Sequence, residues 1–240
     1  MVRNLWVFSV SGGIGQAFAK EIKQRYQDCK ITGFARNLDK VEPGLCQSLI
    51  AYDLTQPEQF ADVIAQANIE KAPDYVLIAG GWLHDDKTMP EKTYRHLDAM
   101  HMQKSYLLNA VGPSLIIKAL LDAFGWKNAM KVGVLSARLG SISDNKLGGW
   151  HSYRASKSAL NMLIKNYAIE LKMKQSSVVV FAIQPGTTDT PLSQPFQKGL
   201  PSHQLQTPKE TAQYLVELFG FVEAKHSGCF LDFEHNNIET

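Results

Sequence analysis

Seven short apolar runs, alternating with stretches of helical periodicity, constrain this chain more than any other feature. They are NLWVFSV (4–10), KITGFA (30–35), SLIAY (48–52), DYVLIAG (74–80), MKVGVLS (130–136), SVVVFAI (177–183) and GCFLDF (228–233). The runs are near-continuously apolar rather than alternating, the pattern of parallel strands covered on both faces. Parallel neighbours need a crossover, and a helix supplies it. The expectation is therefore α/β: a doubly wound parallel sheet of about seven strands flanked by helices. Two helices announce their starts, because Thr55 with Glu58 and Thr207 with Glu210 both fit a capping box with Pro in the first turn. No repeat, low-complexity tract or linker interrupts the pattern, so residues 1–240 read as one domain.

Composition removes several function classes. A formal net charge of +2 offers no basic field for nucleic acid. Apolar stretches such as VVVFAI (178–183) are too short to cross a bilayer, so no membrane is expected. The N-terminus runs directly into a strand and a Gly-rich turn without the pattern of a signal peptide, which gives the expectation of a cytoplasmic chain. Cys29, Cys46 and Cys229 have neither paired nor metal-like spacing and read as reduced thiols.

After the first strand comes FSVSGGIGQAFAKEI, a Gly-rich turn opening at once into a helix. Such a turn presents backbone N–H groups and a helix N-terminus to a pyrophosphate, at the carboxyl ends of the strands where ligands bind. Ser9, Ser11, Gly13, Ile14 and Gly15 are the candidate contacts. The G-x-G-x-x-G pattern is absent, and any tight strand-to-helix turn would also use glycines here. The second chemical feature is YRASK (153–157). Residues i and i+4 share a helical face, and an ammonium beside a phenol favours the phenolate and so lowers the Tyr pKa. Tyr26 and Lys30 repeat the spacing, so spacing alone decides nothing. That pair lies at a helix end before the second strand, where a cation is favourable without any chemistry.

In order along the chain, these features resemble the short-chain dehydrogenase/reductase family over nearly the whole length. The loop in GSISDNKLGGWHSYRASKSALNM (140–162) is most similar to the C-factor-like and sniffer-like carbonyl reductases. The resemblance implies a Rossmann-type sheet and hydride transfer between NADP(H) and a small-molecule carbonyl or alcohol. Against the family turn T-G-x-x-x-G-x-G, Gly13 and Gly15 match, while Phe8 and Ser9 replace the leading Thr and Gly. The family's N-N-A-G falls on Ile78, Ala79, Gly80 and Gly81. Joint replacement of a structural hydrogen bond by apolar packing is expected there. Asp53, followed by Leu54, stands at the adenine-binding position, and Pro185, Gly186, Thr188 and Thr190 match the P-G-x-x-x-T that passes the nicotinamide.

The resemblance also assigns catalytic roles. Tyr153 would give or take the proton, Lys157 would hold the ribose and tune Tyr153, and Asn109 would position a water linking Lys157 to solvent. A serine that polarises the carbonyl has no clean match. Strand alignment puts Ala137 at its place, with Ser136 one residue early and Ser141 further along, twelve residues before Tyr153. Of the two, Ser141 is favoured.

Ala35 stands where an NAD-binding chain carries a carboxylate, and Arg36 follows it. A guanidinium fork suits a 2′-phosphate, so NADP(H) is expected over NAD(H). Trp82, Leu83, Leu147, Trp150, His151 and Leu192 flank the motifs as a partly apolar pocket, and residues 193–208 read as a loop over it. The HDD run (84–86) reads as a polar loop, and His96 and His101 are five apart, so no metal is expected. The resemblance further implies a homo-oligomer, dimer or tetramer, pairing through the helices that carry Asn109 and Tyr153. The alternative is a signalling or cofactor-sensing protein on the same scaffold. The C-factor likeness and Ala137 favour it; Tyr153, Lys157 and Asn109 oppose it. A methyltransferase on a similar sheet leaves the Tyr–Lys helix unexplained.

Overall fold

A computed structural model describes residues 2–67, 71–201 and 204–240. All seven apolar runs form strands of one sheet: β1 (Asn4–Phe8), β2 (Lys30–Ala35), β3 (Ser48–Ala51), β4 (Tyr75–Ile78), β5 (Met130–Leu135), β6 (Val178–Gln184) and β9 (Phe230–Asp232). Their order is β3-β2-β1-β4-β5-β6-β9, and every pairing is parallel. The order reverses between β1 and β4, which opens a crevice at the carboxyl ends of those strands. A short parallel pair, β7 (Thr187–Thr188) with β8 (Leu205–Gln206), lies outside the sheet.

Alternate side chains of each strand feed two cores. Trp6, Phe8 and Phe34 face the layer of α2 (Phe60–Ala65), α4 (Gly112–Phe124) and α5 (His151–Met173), meeting Ile116, Leu160 and Ile164. Leu5, Val7 and Ile31 face α1 (Gly13–Arg25) and α6 (Pro208–Phe221), meeting Phe18, Ile22 and Phe219. Each fully buried side chain of this kind contributes roughly 1.5–3 kcal/mol, so both faces hold the sheet rigid beneath the crevice.

Helix α3 (Ala99–Tyr106) runs through a π-turn (Leu107–Val111) into α4. The continuous stretch Ala99–Phe124 is long and apolar enough to cross a membrane, a length the separate apolar runs do not reveal. More than half of its most apolar window is buried inside the protein, which makes it a core helix here.

One of the two expected capping boxes forms. Thr207 accepts from the Glu210 amide while Glu210 accepts from the Thr207 amide. Thr55 does not cap. Its amide and hydroxyl both donate to Asp53 Oδ1, at 2.9 and 2.8 Å, and the chain passes through a 3₁₀ turn (Pro57–Gln59) before α2 begins at Phe60. Asp53 takes the Thr55 amide that the Glu58 carboxylate would accept in a capping box, so Thr55 is consumed in an Asx turn.

Candidate active site

A cleft of about 760 Å³ opens at the carboxyl ends of the strands. Its floor is the Gly-rich turn. Helix α1 starts at Gly13 with Gly12 at the N-cap, no side-chain cap and no acidic residue in its first turn. Its first amides thus have no side-chain cap among the described residues, in contrast to the capped α6, and they face the cleft wall. The glycines are sterically required. A Cβ on Gly15 would lie 2.7 Å from Ser9 O, and one on Gly13 would lie 2.8 Å from Thr190 Cγ2, where the 185–190 segment closes over the turn. An unfilled helix N-terminus with glycines this tight fits a pyrophosphate.

Ser9, at the place of the family's first Gly, is in the left-handed region that favours glycine, φ 63°. Serine tolerates this at a cost of about 1–2 kcal/mol. Its hydroxyl pairs with Tyr52 Oη at 2.6 Å. The expected apolar replacement is therefore half of the answer. Phe8 and Ile78 do pair in register, and Phe8 stacks on Phe34 at 4.2 Å, but a polar link also exists, running to Tyr52 just after β3. Every residue expected to hold the cofactor lines the cleft, Arg36, Asp53 with Leu54, Ala79–Gly81 and the 185–190 positions included. Lys40 joins them. A 3₁₀ turn capped by Asn37 brings it round four residues after Arg36, a spacing the sequence already displayed.

At the other end, Tyr153 and Lys157 lie on the cleft-facing side of α5, both buried. Lys157 Nζ sits 5.8 Å from the Tyr153 ring centroid and donates to Leu135 O at 2.8 Å. Burial pushes the Tyr153 phenol above its ordinary value and pulls the Lys157 ammonium down to about 7. The Tyr26–Lys30 pair is no helical pair at all, because Tyr26 caps the end of α1 and Lys30 opens β2. Asn109 sits in the π-turn, fully buried behind the cleft wall. It accepts from the Trp82 amide at 2.7 Å and donates to Trp82 O, Ser105 Oγ and Ser156 Oγ. A Cβ on Gly81 would lie 3.3 Å from Asn109 Oδ1 and 3.6 Å from Lys157 Nζ, so Gly81 packs against both.

The structure moves Ser141 away from the site. Its hydroxyl donates to Glu239 O at 2.5 Å and accepts from the Asp144 amide, and it does not line the cleft. The Gly140–Ser141 turn points this hydroxyl at the C-terminal segment. Ser136 and Ala137 do line the cleft, but the Ser136 hydroxyl is donated to Asn161 Oδ1 at 2.7 Å. Of the expected apolar wall, Trp82, Leu83, Trp150 and Leu192 are present, whereas Leu147 is almost fully exposed and His151 lies outside. Phe196 completes the wall from the 193–208 segment, 4.6 Å from the Trp150 ring; Ser202 and His203 of that segment lie outside the described residues. His84 leans on Phe196, and Asp85 pairs with Lys104 at 2.5 Å.

Residues 4–200 match the short chain dehydrogenase family. The chain belongs to that family of oxidoreductases. It is 27% identical over 233 residues to 1-hydroxy-2-glutathionyl-2-methyl-3-butene dehydrogenase of Rhodococcus sp. (strain AD45), covering 93% of each chain. To C-signal of Myxococcus xanthus it is 26% identical over 142 residues, 59% of this chain and 80% of that one. The carbonyl reductase Sniffer of D. melanogaster superposes over all of both chains with a TM-score of 0.84 at 16% identity, a likeness of fold alone. Other structures sharing the fold at 16–21% identity are described as holding NADP or NADPH.

Proposed function

We propose that this protein is an NADP(H)-dependent carbonyl reductase with Tyr153 as the proton donor. The observation that carries the reading is one cleft joining an unfilled helix N-terminus at Gly13 to a buried Tyr153–Lys157 pair. The α1 amides would hold the pyrophosphate, Asp53 and Leu54 the adenine, and Lys157 the ribose. When bound, the reduced nicotinamide supplies the hydride. Tyr153, kept protonated at neutral pH by its burial, gives its proton to the carbonyl oxygen and the product is the alcohol. Lys157 in its charged form stabilises the phenolate left behind. Asn109 holds the Trp82 backbone against the Lys157 end of the cleft. The apolar wall of Trp150, Phe196 and Leu192 favours a carbonyl carried on an apolar group. Titration with NADPH followed by a carbonyl screen reading NADPH consumption tests the proposal. Cofactor binding without turnover on any carbonyl would overturn it in favour of the sensing role.

Arg36 and Lys40, both exposed and both at the cleft edge, would hold the 2′-phosphate. Losing the Arg36 fork in Arg36→Ala is expected to weaken NADPH binding by about 1.5–3 kcal/mol, with NADH affinity nearly unchanged. Equal wild-type affinity for the two cofactors would remove the assignment.

With Ser141 elsewhere and Ser136 donating to Asn161, neither candidate serine has its hydroxyl free to polarise the carbonyl, and Tyr153 performs that task. Ala137→Ser is then expected to raise the reduction rate by about five- to tenfold, the worth of one added hydrogen bond. Ser141→Ala should leave rate and NADPH affinity within about twofold. If Ser136→Ala cuts the rate more than tenfold with affinity intact, the hydroxyl is that of Ser136.

The exposed Met162, Ile169 and Met173 of α5 give two copies an apolar face to share, in keeping with a homo-oligomer. Light scattering on the purified protein decides this.

A further inference from the structure

Helix α5 has no cap of its own. Its N-cap residue is Trp150, which has no side-chain acceptor, and its first turn contains no acid. The cap arrives from sixty-one residues away. Glu91, in the irregular segment between β4 and α3, is buried with its side chain only 1% exposed. Its Oε2 accepts from the Ser152 amide at 3.2 Å, and its Oε1 accepts from the Ser152 hydroxyl. Its backbone carbonyl accepts from the Trp150 amide at 2.5 Å. His101 Nδ1 of α3 stands 3.9 Å from Oε1, the oxygen that also takes the Ser152 hydroxyl. Burial opposes a charge here, yet the bonds from Ser152 hold the Glu91 carboxyl below its ordinary range.

The two residues that Glu91 holds flank the chemistry. Ser152 immediately precedes Tyr153. Trp150 is in the left-handed region, φ 49°, where a bulky residue persists only if its surroundings impose it. Its ring lies between Tyr153 and Phe196, with centroids at 6.3 and 4.6 Å. The same segment carries Trp82 and Leu83 into the cleft wall.

We propose that Glu91 is a positioning residue, clamping the first turn of α5 so that Tyr153 and the Trp150 wall are set together against the substrate. The inference rests on the reading of Tyr153 as proton donor, and its test has one arm that does not. In the first arm, amide hydrogen exchange is followed by mass spectrometry over residues 150–156, with α6 as reference. Glu91→Ala is expected to speed exchange there by roughly tenfold or more and to leave α6 unchanged, because the Ser152 amide and hydroxyl lose the carboxylate that ties the first turn down. In the second arm, kcat for carbonyl reduction should fall by roughly ten- to a hundredfold, with NADPH affinity within about threefold. Glu91→Gln, which keeps the volume and one acceptor for Ser152, should restore kcat to within about threefold of wild type. Where Glu91→Ala fails to fold, Ser152→Ala replaces it. The residue-152 amide still donates to Glu91 Oε2, so a smaller local exchange increase of roughly threefold and a kcat loss of roughly three- to tenfold are expected, and no change in either overturns the clamp.

Unchanged exchange in Glu91→Ala would show that Glu91 is no cap. Faster exchange with unaltered kcat would remove the positioning role. Parallel loss of kcat and NADPH affinity in both the Ala and Gln variants would make Glu91 a general fold residue instead. A wild type that binds NADPH but reduces no carbonyl sinks the parent reading, and the exchange arm then still decides the cap.

Discussion

Tyr153→Phe is expected to lower carbonyl reduction by at least ~10²–10⁴-fold while leaving the fold and NADPH affinity close to wild type. The substitution removes one oxygen. The ring is buried, with Trp150 packed edge-on to it, and that packing survives. The phenol oxygen makes no hydrogen bond to another protein group among the described residues, so no partner is stranded by its loss. What disappears is an interaction made in the transition state. Tyr26→Phe is the comparison. Tyr26 ends α1 at the opposite side of the crossover from the site, and its replacement should not change the kinetics. The measurement is NADPH consumption across wild type and the two variants, with thermal unfolding as a check on integrity. Equal behaviour of the two variants, both stable, would reduce the YRASK pair to a shared helical face. The cofactor-sensing alternative on the same scaffold would then take its place.

The fold and half of the site were legible because they depend on local pattern. Continuous apolar runs have no solvent face, so their strands belong in a covered sheet, and all seven join one; β3 and β9 form its edges, and β3 leaves Leu49 exposed. The cofactor end is similarly local. Gly13, Gly15, Arg36 and Asp53 each follow a strand, and the topology alone brings strand ends together. What the sequence concealed depends on direction or on distance. Ser141 and Ser136 are both serines near the end of β5, and only the turn at Arg138–Gly140 decides that one faces the C-terminal segment and the other Asn161. Thr55 carried the same capping signature as Thr207, but a neighbouring Asp53 competed for its donors. Glu91 had no readable signal, since nothing near it in sequence shows that a helix starting sixty residues later lacks a cap. The Ser9–Tyr52 bond is hidden for the same reason, because it joins positions 43 residues apart.

Lys157→Met carries the other large effect, and its consequences point in opposite directions for activity and stability. Turnover should fall by at least roughly tenfold to a hundredfold, since the phenolate loses its cation, and NADPH binding should weaken as well. Stability should rise. Burial lowers the Lys157 pKa from 10.5 to about 7, so between these values the unfolded chain binds a proton that the folded chain does not. Folded stability therefore climbs with pH across that window, and the full cost of burying the ammonium is felt at pH 7 and below. Removing the charge relieves a cost on the order of a few kcal/mol, partly offset by leaving Leu135 O without its donor. A net gain of about 1–3 kcal/mol at pH 7 corresponds to several degrees in Tm, shrinking towards pH 10. The same titration governs rate. The charged form is the one that assists reduction, so kcat/KM for reduction should fall about tenfold per pH unit above about 7 in the wild type. This limb should vanish in Lys157→Met. A variant no more stable than wild type at pH 7, with the alkaline limb still present, would show that Lys157 is neither the buried cation nor the group that tunes Tyr153.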